Sequence, residues 1–479
     1  MIRTTGIFRK HPLAGAILCL GLPVLLMGAG PAVAQNAEIE ELRRQLQALE
    51  QRLNESTARI EAEAAAARSE AREARSELAS QQKEIAGTRD AIATSDLIVR
   101  DGKGIKIGDT TVTVNGFIKA DAVYGSGGDG SRNNRTLGQA TNFHRFARSD
   151  AADKWRLGSS VRESRVGLRT VTPDVNGRDL TTYLEIDFHG SEDGANEFVS
   201  NSYNPRLRLA YASWGDWTAG QDVTTFSELA ALPEILNQGK MAAFIYARQP
   251  LLRYSMNVPG GRLFAALENP EDGDHDQAYP DLVLRYQVRN DYGVYSLAAM
   301  ARTLEKGSTG DRSLQGAVSL SARIPTVGQD NLRLQYSYGA LGRYAGLRTF
   351  QDVLSTDTAG TDAAGNPTTV YGELTPAVSY GVTAAYQKHW SPKWRSNLSL
   401  SQLELVTNAN SEELGQARQN GDLVGHFDRS TSAHLNLLYA ATDRITLGLE
   451  YAYWDFGTIN DQKSSYQYEQ VMASAKVDF

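Results

Sequence analysis

The chain has 479 residues, with 49 Lys+Arg against 56 Asp+Glu and a net charge of −7. Only 41% of residues are apolar and the mean hydropathy is −0.39, which excludes a bundle of transmembrane helices. The acidic balance points to no nucleic acid partner, and the length suits two or three ordinary domains or one large barrel with an appendage.

At the N-terminus one continuous apolar stretch, Leu13 to Gly30, follows Arg3, Arg9 and Lys10 and precedes Ala32-Val33-Ala34. A basic flank, an apolar run and small residues before a cut site describe a secretory signal peptide over residues 1–34. The rival is an uncleaved anchor, because about 18 apolar residues nearly span a bilayer. The Ala-x-Ala ending favours cleavage before Gln35. The only cysteine, Cys19, lies in this run behind Leu18, a residue too large for a lipoprotein site. The signal takes Arg3, Arg9 and Lys10 with it, leaving 46 Lys+Arg against 56 Asp+Glu and no cysteine. An exported chain without disulfides suits a barrel closed by backbone hydrogen bonds.

Residues 38–93 are expected to form one long helix, within a periplasmic coiled-coil segment spanning 35–95. Ile39, Leu42, Leu46, Leu49, Leu53 and Ile60 follow the three-and-four spacing of a coiled-coil seam. The stripe weakens through Ala64 to Ala67 and resumes at Leu78, Ile85 and Ile92, offset by four, so the register contains a stutter. So narrow a stripe needs partners to bury it, and a homotrimer seam is the expectation; a solvated spacer is the alternative.

From residue 96 the composition changes to Gly, Tyr, Thr and Asn with strict alternation. Leu282, Leu284, Tyr286 and Val288 alternate with Val283, Arg285, Gln287 and Arg289; Ile445, Leu447, Leu449, Tyr451 and Tyr453 alternate with Arg444, Thr446, Gly448 and Glu450. A two-residue period in segments of about ten is the pattern of a transmembrane β-barrel strand. Sixteen candidates follow, near 111–124, 161–172, 179–189, 205–214, 217–221, 250–257, 262–268, 281–288, 292–302, 313–324, 331–340, 377–388, 394–404, 431–440, 444–455 and 468–479. Short connections such as Gly215-Asp216 and Pro259-Gly260-Gly261 alternate with long ones at 125–160, 190–204, 222–249, 341–376 and 405–430. That rhythm separates a barrel with short periplasmic turns from a soluble sandwich. Tyr124, Tyr254, Tyr338, Trp390, Trp394 and Tyr439 near strand ends suit interfacial girdles. The last strand alternates Val471, Ala473, Ala475 and Val477 and stops at Phe479, the terminal aromatic of an assembly signal for the barrel-assembly machinery.

Three stretches then resemble a known family. Ile105-Lys106-Ile107-Gly108 with Gly116-Phe117-Ile118-Lys119-Ala120-Asp121 resembles the first strand of DcaP-like outer-membrane porins. Ala219-Gly220-Gln221, Thr225-Phe226-Ser227-Glu228-Leu229 and Ala231-Leu232-Pro233-Glu234 resemble their constriction loop, and Arg248-Gln249-Pro250 with Arg253-Tyr254 the strand after it. Asp222-Val223-Thr224 departs from the Thr-Trp-Ser-like run often found there. The resemblance implies a homotrimer of sixteen-stranded barrels with a periplasmic coiled coil, passing small organic anions, dicarboxylates among them.

If apolar residues face lipid, the opposite parity places Arg165, Arg169, Arg206, Arg208, Arg253, Arg285 and Arg289 in the lumen, with Arg248 beside them. Guanidinium stays charged and grips carboxylates with a planar fork, so these residues are the expected basic wall of the pore. The loop 222–249 is the expected constriction, with its acids Asp222, Glu228 and Glu234 facing that wall across a transverse field. The alternative pairs the arginines with Glu163, Glu185, Asp187 and Glu268 as barrel-stiffening bridges.

An enzyme would need an activated nucleophile, yet His144, His189, His275, His389, His426 and His434 are scattered, with His434 alone inside a confident strand and pointing to the lumen. No Gly-x-Ser-x-Gly stretch and no metal-ligand spacing occur, so neither catalysis nor a metal or other cofactor is expected. Glu271, Asp272, Asp274 and Asp276 lack the terminal Glu of an EF-hand loop and read as solvated charge. The expected function is passive diffusion of small hydrophilic solutes across the outer membrane of a Gram-negative bacterium. Its expected partners are further copies of the chain, outer-membrane lipids and lipopolysaccharide, the assembly machinery and small organic anions. A structural tether is the alternative, in which the helix links the outer membrane to peptidoglycan.

Overall fold

Alternating strands that meet lipid on one side and water on the other leave no tolerable edge, so they close on themselves. In a computed structural model of the chain the described residues are 33–94, 104–126, 155–190, 203–237, 241–270, 279–346, 349–354, 358–406, 427–458 and 465–479. The apolar N-terminal run with Cys19, the loop acids Glu271 to Asp276, and His144, His275 and His426 lie outside them. Two units divide between Thr94 and Ser95. The first contains α1, Val33–Thr94. Its Leu46, Leu49, Leu53 and Ile60 are exposed in the single chain, while the side chains of Ile39 and Leu42 are outside the described set.

The second unit is a closed antiparallel barrel of sixteen strands. In chain order these are β1 (Thr110–Gly125), β2 (Arg165–Val175, continued by Arg156–Ser160 against the same neighbour), β3 (Arg178–Asp187) and β4 (Arg206–Trp214). Next come β5 (Trp217–Val223), β6 (Arg248–Val258), β7 (Gly261–Glu268) and β8 (Asp281–Asn290). Then follow β9 (Gly293–Lys306), β10 (Asp311–Pro325), β11 (Asn331–Gly339) and β12 (Ser379–His389). Last are β13 (Trp394–Leu405), β14 (Phe427–Ala440), β15 (Ile445–Thr458) and β16 (Ser465–Asp478). β16 pairs β1 from Asp478↔Phe117 to Gln470↔Gly125 and closes the ring. The Phe479 amide then donates to the Gly116 carbonyl at 3.1 Å.

All sixteen strands expected from the alternation are present, with two instructive departures. β2 is interrupted at 161–164, where the chain turns inward through a Ser164 N–H to Val161 carbonyl bond. That excursion carries Glu163 to the Lys119 ammonium, 2.5 Å away. β9 and β14 to β16 also run beyond the expected limits at the long-loop end. There the inward face turns apolar: Met300, Ala452, Trp454, Phe456, Tyr466 and Tyr468 pack with Phe226, Ile245, Leu341 and Tyr344 of the loops in one buried cluster. An inward aromatic run hides the apolar-out, polar-in contrast on which the period depends.

The short turns gather at one end, the periplasmic end in barrels of this kind. Between β2 and β3 it is a two-residue Asn176–Gly177 turn with φ of 52° and 78°, the left-handed pair that fits the twist of a hairpin. Outward aromatics stack in pairs near strand ends: Trp394 on Tyr439 at 4.6 Å, Trp217 on Tyr254 at 4.8 Å and Tyr124 on Trp155 at 5.1 Å. These are the girdle positions at the two membrane–water interfaces.

Candidate functional site

Between β5 and β6 the chain leaves the wall and enters the lumen, where its described residues 224–237 and 241–247 are held by side chains of the strands' polar faces. Glu268 on β7 accepts from Thr224 Oγ1 at 2.7 Å and the Thr225 N–H at 2.6 Å. Arg285 on β8 donates to the Ser227 carbonyl, and Gln287 to Glu228 at 2.5 Å. Arg333 on β11 donates to the Leu232 carbonyl. Arg395 on β13 holds Glu234 at 2.5 and 2.8 Å, and Gln387 on β12 adds a bond at 2.8 Å.

The far end of the loop is gripped by charge of both signs. Glu450 on β15 accepts the N–H groups of Leu236 and Asn237 at 2.6 and 3.2 Å, together with Asn436 Nδ2 at 3.1 Å. His434 Nδ1 lies 3.3 Å from the same carboxylate. Lys119 on β1 donates to the Leu236 carbonyl at 2.9 Å and is itself paired with Asp121 and Glu163. The returning limb donates the Ala242 and Ala243 N–H groups to Ser432 and Ser401 at 2.9 and 2.8 Å. Buried polar groups are expensive unless bonded, so this many ties fix one path for the loop. Among the described bonds, the loop interior is tied to β7, β8, β11 to β15 and β1, and none of these ties reaches β2, β3 or β4.

The wall opposite those ties carries the arginine cluster. Arg165 on β2 lies 4.0 Å from Glu185. Arg206 and Arg208 on β4 both reach Asp187, at 2.7 and 2.9 Å, and Arg208 also reaches Glu185 at 2.5 Å. Arg206 and Arg208, two residues apart, share the inward face by simple alternation. Glu185 pairs with Leu209 but Ile186 with Leu207, so Arg208 is the extra residue of a bulge and the parity of β4 shifts beyond it. Arg162 stacks on Tyr203 at 4.0 Å, and Arg248 at the start of β6 neighbours Arg206 and Arg208. Arg248 Nη1 is buried without a hydrogen-bond partner. From the loop, Tyr246 comes within electrostatic reach of Arg165, Arg208 and Arg248. Just beyond β3, burial and then the Arg206 charge push His189 down to about 3.

Of the other expected wall residues, Arg253 is ion-paired with Asp222 and Arg285 lies 3.7 Å from Glu228. Arg169 and Arg289 are exposed towards the short-turn end. The expected acidic loop face is corrected on two counts. Asp222 belongs to β5, not to the loop, because β5 and β6 each extend the ladder to the Val223↔Arg248 pair. Asp222, Glu228 and Glu234 do not stand across water from the arginines: each lies within ion-pair distance of one, Glu228 and Glu234 anchoring the loop and Asp222 bridging β5 to β6. Glu163 pairs with Lys119, and Glu268 with loop hydroxyl and amide groups.

Several functional side chains went unnoticed in the sequence: Tyr246, Arg333, Arg395, and the Lys119 and Glu450 clamps. Lys119, Arg333 and Glu450 sit on the polar phase of an alternating strand, the one signal that marks them. Among the described residues no group of three His, Cys, Asp or Glu stands where it could hold a metal ion.

The family model of the DcaP outer membrane protein matches residues 83–360, more than half of the chain. The crystal structure of the outer membrane channel DcaP of Acinetobacter baumannii superposes with a TM-score of 0.62 at 20% identity, covering 79% of this chain and 100% of that one. The anion-selective porin from Comamonas acidovorans gives 0.48 at 14% identity over 77% of this chain and 100% of its own. In vitro folded OmpT of Vibrio cholerae gives 0.46 at 11% identity over 78% and 99%. No curated protein matches the chain by sequence. By the extent of the family match, with a closed barrel of sixteen strands beside it, the chain belongs to the DcaP outer membrane protein family.

Proposed function

We propose that this outer-membrane protein is a porin for passive diffusion of small organic anions, dicarboxylates among them, and that selection occurs where the inward loop faces the β2–β4 wall. The observation that carries the reading is the arginine cluster at that face. Arg165, Arg206, Arg208 and Arg248 gather about the two carboxylates Glu185 and Asp187, and Arg165, Arg208 and Arg248 lie within electrostatic reach of Tyr246. An excess of fixed guanidinium in a narrow lumen focuses a positive potential, concentrating anions and repelling cations. The planar fork of a guanidinium suits a carboxylate. A solute passing between Tyr246 and the arginines exchanges hydration for charge-assisted bonds that no single guanidinium holds strongly, the condition for passage instead of trapping.

The remaining assignments belong to the same proposal. Residues 1–34 direct export, residues 35–95 form a periplasmic coiled coil of three copies, and the barrel from residue 96 sits among outer-membrane lipids with Phe479 as its assembly signal. Single-channel current across a salt gradient tests the function. An anion-favouring reversal potential with concentration-dependent block by succinate is the expected outcome. A cation-favouring channel that ignores succinate would overturn the selectivity, and absence of conductance would overturn the porin reading itself.

A further inference from the structure

A second set of arginines lies away from this cluster, at the short-turn mouth of the barrel. Arg323 on β10 and Arg333 on β11 are direct cross-strand partners. Arg289 on β8 is in the same row, with Val294 of β9 between it and Arg323. All three point inward. On the same parity, Gln335 bonds Ser321, Ser337 bonds Ser319, and Arg285 and Gln287 bond the inward loop. Strand spacing sets the Arg289 Cα about 10 Å from that of Arg323, and Arg323 about 5 Å from Arg333, so the row runs over about 14 Å.

Like charges directly opposite each other in a sheet destabilise it, and the Arg323 charge opposes that of Arg333. Among the described residues no carboxylate is ion-paired with either of them. Arg333 spends its N–H groups on neutral acceptors: Asn331 Oδ1 at 2.8 Å, Gln387 Oε1 at 3.2 Å and the Leu232 carbonyl. Glu234 is the carboxylate whose charge reaches it, and Glu234 is already held by Arg395 at 2.5 Å. Arg289 and Arg323 are exposed. Among the described residues none of the three has an ion-pair partner, whereas the arginines higher in the lumen share carboxylates. A sheet keeps an unneutralised row at a cost in stability when something outside the protein completes it.

We propose that Arg289, Arg323 and Arg333 form a polycarboxylate-binding site at the periplasmic mouth, separate from the cluster that faces Tyr246. The row presents guanidinium forks from Cα positions about 5 and 10 Å apart in succession, a spread that matches several carboxylates on one small molecule better than a single compact anion. Arg333 also links the site to the loop through Leu232, so an occupant bears on the residue that holds the underside of the loop. The inference rests on the chain being an open pore and not on which residues select ions at the loop.

Sided block of single channels by citrate tests it, with full-length protein in a planar bilayer and sodium citrate added to each chamber in turn. Arg333 is left intact because it holds the loop; the variant is Arg289→Gln with Arg323→Gln. Citrate added from one side should lose about tenfold in blocking affinity in the variant, the size expected for two lost charge-assisted contacts. Block from the opposite side and open-channel conductance should stay within about twofold, since among the described hydrogen bonds neither residue ties the loop. Arg323→Gln alone should unfold in denaturant at the same midpoint as the parent or a higher one, because it removes a repulsion. Equal citrate block in parent and variant, weakening shared by both sides, or a lower midpoint for Arg323→Gln would each overturn the site. A parent channel that favours cations would sink the selectivity proposed above while leaving the sided citrate result to be scored separately.

Discussion

Glu450 accepts the backbone N–H of Leu236 at 2.6 Å, tying the inward loop to a strand 214 residues further along the chain. The same carboxylate also satisfies Asn237 N and Asn436 Nδ2, and His434 Nδ1 lies against it. Glu450→Ala therefore orphans several buried donors at once. It should cost about 3 kcal/mol in the denaturant midpoint of the refolded barrel, the range for removing one partner of a buried charged network. Glu450→Gln keeps the shape and one acceptor and should cost roughly half as much. With the loop loosened, single-channel current in Glu450→Ala should be larger and noisier than in the parent. A quiet channel of parental conductance would show that the remaining ties suffice.

Removing Arg165 and Arg253 together should move ion selectivity towards cations. Arg165 is part of the cluster facing Tyr246, and deleting Arg253 uncovers the Asp222 carboxylate it neutralises. The double variant thus loses two positive charges and exposes a negative one, which should lower the anion-to-cation permeability ratio about tenfold. Reversal potential in a salt gradient measures it, and an unchanged ratio would refute the assignment of these arginines to the conducting path.

The barrel was legible in the sequence because one physical contrast, lipid outside and polar groups inside, is written into every second residue. It failed to be legible where that contrast fails. The inward aromatics Trp454, Phe456 and Tyr468 blur the upper ends of β15 and β16, and the bulge at Arg208 shifts parity without a composition signal. Arginines could be assigned to the lumen by parity alone. Which of them bind the loop could not, because Arg333 meeting Leu232 or Glu450 meeting Leu236 depends on a loop path fixed by contacts one to two hundred residues apart. The acids showed the same limit: charge on a loop suggests a field, and only geometry reveals that Glu234 is already spent on Arg395.

His189 reports the positive potential beside Asp187. Burial and the Arg206 charge push it down to about 3, below the ordinary 6.5 of histidine, so it stays neutral in the folded barrel at neutral pH. Between those two values the unfolded chain binds the extra proton and the folded one does not, so this group's contribution to stability is whole above about 6.5 and declines as pH falls. Arg206→Gln should raise the His189 midpoint measurably in a histidine-resolved NMR titration. His189→Gln should flatten the part of the acid stability loss that lies between these limits. A His189 midpoint near 6.5 in the parent would show that no such potential acts there.

The apolar stripe of α1 makes the last prediction. Leu49 and Leu53 are each 68% exposed in the single chain, and the stripe is too narrow for a lone helix to gain stability from it. If three copies bury that seam, Leu49→Asp with Leu53→Asp places charge in an apolar interface and removes the reason for the helix to form. Circular dichroism at 222 nm should then fall while the barrel keeps its heat-modifiable migration and its conductance. Chemical cross-linking through lysines of the intact protein would show whether trimers persist without the helix, which assigns assembly to the barrel, or dissolve with it, which assigns assembly to the coiled coil. Unchanged helicity in the variant would mean a solvated, self-sufficient helix and would remove the seam from the account of assembly.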